Sequence, residues 1–353
     1  MKILILPGDG IGKEVAASAG VVLKQAVPDM ELDYGIIGGS AYEETGSPLP
    51  EETKIKIATA NAVLLGAVGG TMWDTLPQDK KPEAGLLELR AHMQVFANLR
   101  PARISQALCD VSTLRGEVLH GVDLIIVREL IGGIYFGKPR GIDSLPDGTR
   151  HAYNTLEYSS KEIERIAHKA FGIALKRSAK LTSVDKANVL ESSRLWREVV
   201  DEIAKGYPSV EVSHMYVDNC AMQLIRKPSQ FDVILTQNLF GDILSDEASM
   251  ITGSLGMLPS ASIGQGPGLY EPVHGSAPDI AGQDKANPIG AILSGAMMLR
   301  YSLDMEGAAL KIETAVEKVL SKGVRTLDLA AGAEKIVGTQ EMTDCIIQEM
   351  ENT

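Results

Sequence analysis

Cysteine is scarce: the chain carries three in 353 residues, Cys109, Cys220 and Cys345. The count is odd and no Cys-x-x-Cys occurs, so neither a disulfide framework nor a thiolate zinc site is indicated. The three read as buried or inert thiols in a reducing compartment. Long apolar runs are also missing. The opening MKILILPGDGIG has too short an apolar run for a secretory signal. The run from Ala58 to Gly70 is broken by Asn61 and several glycines. No stretch reaches the roughly 18 apolar residues of a spanning helix. These absences predict a soluble, cytoplasmic protein. Basic charge is not in excess either: 34 Lys and Arg stand against 46 Asp and Glu, a formal net charge of −12. That balance argues against nucleic-acid binding as the main function and leaves room for local basic pockets that take anionic metabolites. Hydrophobic residues at 44% and charged residues at 23% are ordinary for a folded protein and exclude whole-chain disorder. The length suggests about two domains.

Strand-like and helix-like segments alternate, which predicts an α/β protein. Lys2 to Leu6 reads as a strand, followed by the glycine turn Pro7-Gly8-Asp9-Gly10-Ile11-Gly12 and a helix from Lys13 to about Ala26. In that helix Val15, Ala19, Val22, Leu23 and Ala26 share one face. Further strands are read at Glu31 to Ile37, Ala62 to Gly66, Val122 to Glu129, Leu181 to Val184, Val210 to Val217 and Val233 to Thr236. Helices are read at Glu51 to Ala60 and Pro82 to Asn98, the latter with Leu86, Leu89 and Met93 spaced for one face. Ile134 to Tyr158, rich in Gly, Pro and Asp, reads as a hairpin or a projecting arm. Gly253 to Pro272 reads as a long connection, either a linker or a site loop, and Pro288 to Met350 as mostly helical.

Two phosphate-binding fingerprints fail on this chain. The G-x-G-x-x-G pattern needs glycine where Lys13 stands. A P-loop needs glycine at Pro7 and Ser or Thr at Glu14. The turn therefore reads as a tight strand-to-helix connection. Chemistry concentrates elsewhere. Arg90 and Arg100 are read either as a solvated helix face or as forks for carboxylates. Arg128 ends an apolar strand, where a charge needs an anionic partner. Tyr135, between glycines, is either a turn aromatic or a proton donor. Lys186 follows a strand and is either a helix-start lysine or a base. Asp218 ends a strand, and Asp242 and Asp246 lie four apart on one helix face. The pair is either helix N-terminal acidity or half of a cation site. A set of oxygen donors without His or Cys suits Mg²⁺ or Mn²⁺. Together the residues suit a small dicarboxylate bearing a hydroxyl, held beyond the carboxyl ends of the strands.

Eight segments, in order, resemble one family along essentially the whole chain: LPGDGIGKEV at 6–15, GLLELR at 85–90, FANLRPAR at 96–103, VRELIGGIYFGKPRG at 127–141, SVDKANVLE at 183–191, QNLFGDILSDEAS at 237–249, GSLGMLPSAS at 253–262 and EPVHGSAPDIAGQDKANP at 271–288. They are similar to the metal-dependent β-decarboxylating dehydrogenases of the isocitrate and isopropylmalate type. The resemblance implies a two-domain αβα subunit, not a Rossmann fold. Residues 1–99 and 253–353 would form the first domain and 100–252 the second, with a dimer arm at about 138–158 and hinge closure over a cleft.

The resemblance also implies roles. Arg90, Arg100 and Arg128 hold the substrate carboxylates, with Asp218, Leu86, Leu87 and Val189 also at the substrate. Asp218, Asp242 and Asp246 ligate Mg²⁺ or Mn²⁺, one of them reaching across a homodimer interface. Lys186 serves the partner subunit's site and helps remove the C2 hydroxyl proton. Tyr135 protonates the carbon that loses CO₂. NAD lies against Glu83 and the loop of His274, Gly275, Ser276, Ala277, Asp279, Ile280 and Asn287. The implied reaction oxidises 3-isopropylmalate at C2 and decarboxylates the β-keto acid to 2-oxoisocaproate, the precursor of leucine. Relatives use D-malate, 3-methylmalate, tartrate, isocitrate or homoisocitrate. A non-catalytic two-domain binding protein would have no need of Lys186 and Tyr135 near a metal. Two choices follow physically. Asp279 accepts from a ribose 2′-OH and repels a 2′-phosphate. Leu86 and Leu87 disfavour an ionic γ-substituent by several kcal/mol, whereas one methylene is worth only about 1–3 kcal/mol.

Overall fold

A computed structural model describes residues 1–352. In chain order the elements are β1 (Lys2–Gly8), α1 (Gly12–Ala26), β2 (Glu31–Tyr34), α2 (Gly39–Thr45), α3 (Glu51–Thr59), β3 (Ala62–Ala67), α4 (Pro82–His92) and β4 (Val95–Arg103). The middle adds α5 (Gly116–Leu119), β5 (Asp123–Glu129), β6 (Gly141–Ser144), β7 (Arg150–Tyr153), α6 (Ser160–Leu175), β8 (Lys180–Asp185), α7 (Glu191–Ala204), β9 (Glu211–Tyr216), α8 (Val217–Arg226), β10 (Val233–Thr236) and α9 (Asn238–Ser249). The last third holds β11 (Pro259–Gly264), β12 (Gly268–Pro272), α10 (Ile289–Tyr301), α11 (Glu306–Ser321) and α12 (Thr339–Glu351). No helix among the described residues is long and apolar enough to cross a membrane. All three cysteines are free thiols, Cys220 fully buried and the other two partly so.

The chain forms two compact units. The first comprises 1–95, 103–116 and 249–353. Its strands run in the order β2-β1-β3-β12-β11, parallel except that β11 is antiparallel to β12. α1 buries Val15, Ala19, Val22 and Leu23, while Ala26 is only half covered. Val15, Val22 and Leu23 each contribute about 1.5–3 kcal/mol when fully buried. α1 lies against α10, whose ten buried residues make it apolar nearly all round.

The second unit comprises 96–102 and 117–248. Its strand order is β4-β5-β10-β8-β9, and β5, β10, β8 and β9 run parallel. Such strands are covered on both faces and read as continuous apolar runs. Leu124 to Val127 and Val233 to Leu235 are fully buried accordingly. The polar residues Arg128, Glu129 and Asp185 end β5 and β8, at the carboxyl edge where open α/β sheets take ligands. β6 and β7 form a separate antiparallel hairpin, with Gly141 opposite Tyr153 and Ser144 opposite Arg150.

The fold corrects four local readings. The helix expected to reach Asn98 ends at His92. Gln94 turns with φ of 51° and β4 begins at Val95. Val95 to Leu99 are buried in a strand, so tertiary pairing overrides a helical spacing that continued through Met93. β2 stops at Tyr34, short of Ile37. The stretch 253–272 is no bare connection: it contains the hairpin β11–β12, whose small residues carry no alternation. Asp218 does not end a strand. It lies in the first turn of α8.

Candidate active site

Arg128 lies at the end of β5, and only 5% of it is exposed. Its Nε and Nη2 donate to Asn238 Oδ1 at 3.1 and 2.8 Å, and its Nη1 donates to Asp242 Oδ1. The register Arg128↔Thr236 sets the Arg128 backbone beside the end of β10, where α9 starts. One turn on, Asp246 accepts from Arg100 Nη1 at 2.9 Å. Arg100 also donates to Ser245 Oγ at 2.9 Å and, through Nε, to Asn98 Oδ1 at 2.9 Å. Asp242 is the fifth residue of α9 and no acidic residue occupies its first turn, so helix N-terminal acidity does not account for the pair. Tyr135 closes the 3₁₀ turn Gly133–Tyr135 and donates from Oη to Asp242 Oδ2 at 2.8 Å. Burial first, and then the bond to Asp242, push the phenol above its ordinary range. It therefore keeps its proton at neutral pH. Five of the expected residues thus stand together: Arg100, Arg128, Tyr135, Asp242 and Asp246.

Lys186 and Asp218 form a second cluster, with Nζ to Oδ1 at 2.9 Å. Lys186 lies in the turn between β8 and α7, five residues before that helix begins, which removes the helix-start reading. Its neighbour Asp185 is fully buried, bridged by Arg197 through two bonds of 2.9 Å and capped by the Ala187 N–H at 2.8 Å. That clamp fixes the strand end from which Lys186 projects. The Lys186 ammonium holds the exposed Asp218 carboxyl below its usual range. Val189 is exposed in the same turn. Among the described residues no three His, Cys, Asp or Glu side chains stand where one ion would be held. The chain alone therefore does not bring Asp218 to Asp242 and Asp246. Carboxylate oxygens with no imidazole or thiolate among them fit a hard divalent cation.

In the first unit, the loop after β12 packs on the glycine turn. Ile11 N–H donates to Ser276 O at 2.8 Å. Gly10 has φ of 53°, and a Cβ there would strike that same carbonyl. His274 turns Nδ1 to Gly275 O at 2.9 Å. Its Nε2 is buried without a partner, and burial lowers the imidazole below its ordinary value. Asn287 is occupied within the fold: it donates to Asp328 Oδ2 at 3.0 Å and accepts from the Ile289 N–H at 3.0 Å. Gly275 and Asp279 are exposed, while Ala277 and Ile280 are partly covered. Glu83 is exposed in the first turn of α4, which opens on Pro82. On the same helix Leu86 is half-buried and Leu87 is 51% exposed. Arg90 donates from Nη2 to Glu271 Oε1 at 2.7 Å, and its buried Nε has no partner.

Two residues of this architecture carry no role in the sequence reading. Asn238 lies inside a segment read only for its aspartates. Asp9 lies inside the glycine turn: buried, it accepts from the backbone N–H of Gly39, Ser40 and Gly69 at 2.8, 2.8 and 2.9 Å. Neither has a local signature, since Asn and Asp in a turn ordinarily cap their own backbone.

Residues 2–346 match the family described as isocitrate/isopropylmalate dehydrogenase. Among curated proteins the chain is 58% identical to a 3-isopropylmalate dehydrogenase of Hydrogenovibrio crunogenus, over 98% of each chain. It is 56% identical to one of Paramagnetospirillum magneticum, over 99% of this chain and 98% of that one. Among solved structures, an isocitrate dehydrogenase from Methylococcus capsulatus superposes with a TM-score of 0.87 at 36% identity, covering 99% of both chains. A β-decarboxylating dehydrogenase from Thermococcus kodakarensis gives 0.82 at 37% identity, over 99% and 96%.

Proposed function

The chain belongs to the isocitrate/isopropylmalate dehydrogenase family, and from that premise we infer that it oxidises 3-isopropylmalate at C2 with NAD⁺ and then releases the β-carboxyl group as CO₂. It is an oxidoreductase of leucine synthesis, and its product is 2-oxoisocaproate. The observation that carries this reading is identity of 56–58% over nearly the full length to enzymes named for that substrate. The cluster around Arg128 supports it chemically.

Arg100 and Arg128 bind the malate carboxylates, and Arg90 adds a third guanidinium. Leu86, Leu87 and Val189 present apolar surface to the isopropyl group. Asp242 and Asp246, with Asp218, hold the divalent cation, while Glu83 and the 274–287 loop hold NAD, with Asp279 on the ribose hydroxyl. When bound, Mg²⁺ or Mn²⁺ would supply Lewis acidity at the C2 oxygen and NAD⁺ would supply a hydride acceptor, chemistry that no side chain provides. Lys186 accepts the C2 hydroxyl proton. Tyr135, protonated at neutral pH, delivers its proton to C3 once CO₂ has left.

The separation of the two clusters within one chain supports a homodimer in which the partner subunit's Lys186 and the partner subunit's Asp218 complete each site. Asp218, Met222 and Ile225 follow at helical spacing on α8, and both apolar residues are exposed, as is Ile243 on α9. Exposed apolar residues at helical spacing suit an isologous contact. The test is NADH formation with Mg²⁺ and NAD⁺, comparing 3-isopropylmalate, isocitrate and D-malate. The expected result is the highest kcat/KM for 3-isopropylmalate. A preference for isocitrate or D-malate would overturn the substrate assignment.

A further inference from the structure

Behind Arg128 lies a buried polar network that the reaction as described does not use. Asn238, the first residue of α9, is fully buried. Its Oδ1 takes both the Nε and Nη2 bonds of Arg128. Its Nδ2 donates to Leu130 O at 3.0 Å and Gly132 O at 3.1 Å. The amide orientation is therefore dictated: a flip would set its NH₂ against the guanidinium and its oxygen against two carbonyls. Its backbone N–H, an orphan donor at the helix start, donates to Tyr158 Oη at 2.9 Å. Tyr158 is buried against Trp196, with ring centroids 5.4 Å apart. Asn238 touches Arg128 from β5 and Tyr158 from the loop before α6; next to these stand Asp242, bonded to Arg128, and Glu129, whose charge acts on Tyr158. Glu129 is itself buried and held by the Gly132 N–H at 2.7 Å and Arg165 at 3.2 Å.

We propose that Asn238 is the positioning residue for substrate recognition: its neutral amide, braced by two carbonyls and by Tyr158, holds the Arg128 guanidinium in place without adding a second negative charge to the one Asp242 already sets beside it. The proposal rests on the reading that Arg128 binds a substrate carboxylate. The choice of an amide is what carries it. A carboxylate at this position would hold the guanidinium at least as firmly, but would neutralise it in a buried setting where opposite charges are weakly screened. It would also press a second oxygen against two carbonyl oxygens. A neutral acceptor satisfies the same donors and adds no further negative charge beside the guanidinium.

The decisive variant is Asn238→Asp, compared with wild type in steady-state kinetics from pH 6 to 9 with whichever substrate wild type turns over. The introduced carboxylate, ionised beside the guanidinium throughout this range, adds a second negative charge next to Arg128. The KM of the variant should therefore exceed that of wild type by about tenfold at every pH in the range, the scale of one charge-assisted hydrogen bond, while KM for NAD⁺ stays within about twofold, as expected for a site not touched directly. A merely structural role would move both KM values together. A KM ratio near one, or equal losses toward both substrates, overturns the proposal. Tyr158→Phe keeps the ring and removes only the acceptor for the Asn238 N–H. It should raise substrate KM about threefold, the scale of one neutral hydrogen bond. If Asn238→Asp does not fold, an unchanged substrate KM in Tyr158→Phe overturns the proposal by itself. Wild-type protein inactive on every malate tested would instead refute the functional reading, and the two failures stay distinct.

Discussion

The Tyr135 phenol donates to Asp242 Oδ2 across 2.8 Å, so a proton donor and a carboxylate of the same cluster are held by one bond. Asp242 at the same time accepts from Arg128. The phenol is thus aimed by a carboxylate that a buried arginine has already fixed, and its proton is retained because burial and the carboxylate both oppose the phenolate. Tyr135→Phe keeps the ring and deletes the proton. Turnover should fall by about 10²–10⁴-fold, the usual worth of a placed general acid, with substrate KM far less changed. Because the folded value is raised, any alkaline loss of kcat caused by Tyr135 should begin above the ordinary tyrosine value of about 10. A fall beginning near pH 8 would assign the alkaline limb to another group.

The proposed sharing of sites across a homodimer can be tested by complementation. Tyr135→Phe and Lys186→Ala homodimers should each be nearly inactive. Unfolded and refolded together, they give heterodimers in which one site carries both defects and the other carries neither. An equal mixture should recover about a quarter of wild-type activity, as random pairing of a symmetric dimer requires. Absence of recovery, with heterodimers verified by mass, would place Lys186 and Tyr135 of one chain in the same site.

Asp9 bears on stability. Its carboxylate satisfies three buried or half-buried backbone donors from two other segments. Asp9→Ala strands them all, and the loss should be roughly 3 kcal/mol or more, read as a lower denaturant midpoint. Gly39 and Ser40 open α2, Gly69 follows β3, and the turn that carries Asp9 bonds the 274–277 segment through Ile11 N–H and Ser276 O, so KM for NAD⁺ should rise in the same variant.

His274 supplies a pH dependence whose sign can be worked out. Burial depresses its folded pKa, so the folded state binds fewer protons than the unfolded chain. Its contribution to stability is present above the ordinary imidazole value of about 6.5 and is lost as pH falls below it toward the lowered folded value. His274→Gln should flatten that part of the stability profile measured between pH 5 and 7. An unchanged slope would show that another group titrates there.

The amino-acid sequence by itself determined the alternation of elements and the identity of the chemistry. Buried parallel strands such as Leu124–Val127 announce themselves as unbroken apolar runs. A spacing of four puts Asp242 and Asp246 on one face of any helix that contains them. Even the failed glycine fingerprint was legible, since Lys13 stands where glycine is required. Tertiary structure alone decided where α4 gives way to β4, because burial of Val95 to Leu99 in a strand outweighs a helical spacing that runs on to Met93. It turned a glycine- and serine-rich stretch into the β11–β12 hairpin, because small residues carry no local pattern. It also chose the partners of the polar side chains: Arg128 meets Asn238 from 110 residues away, and Asp9 meets Gly69 from 60. Apolar periodicity is a property of neighbours along the chain. Satisfying a buried donor or acceptor is a property of whatever the completed fold brings within 3 Å, which no window of sequence contains.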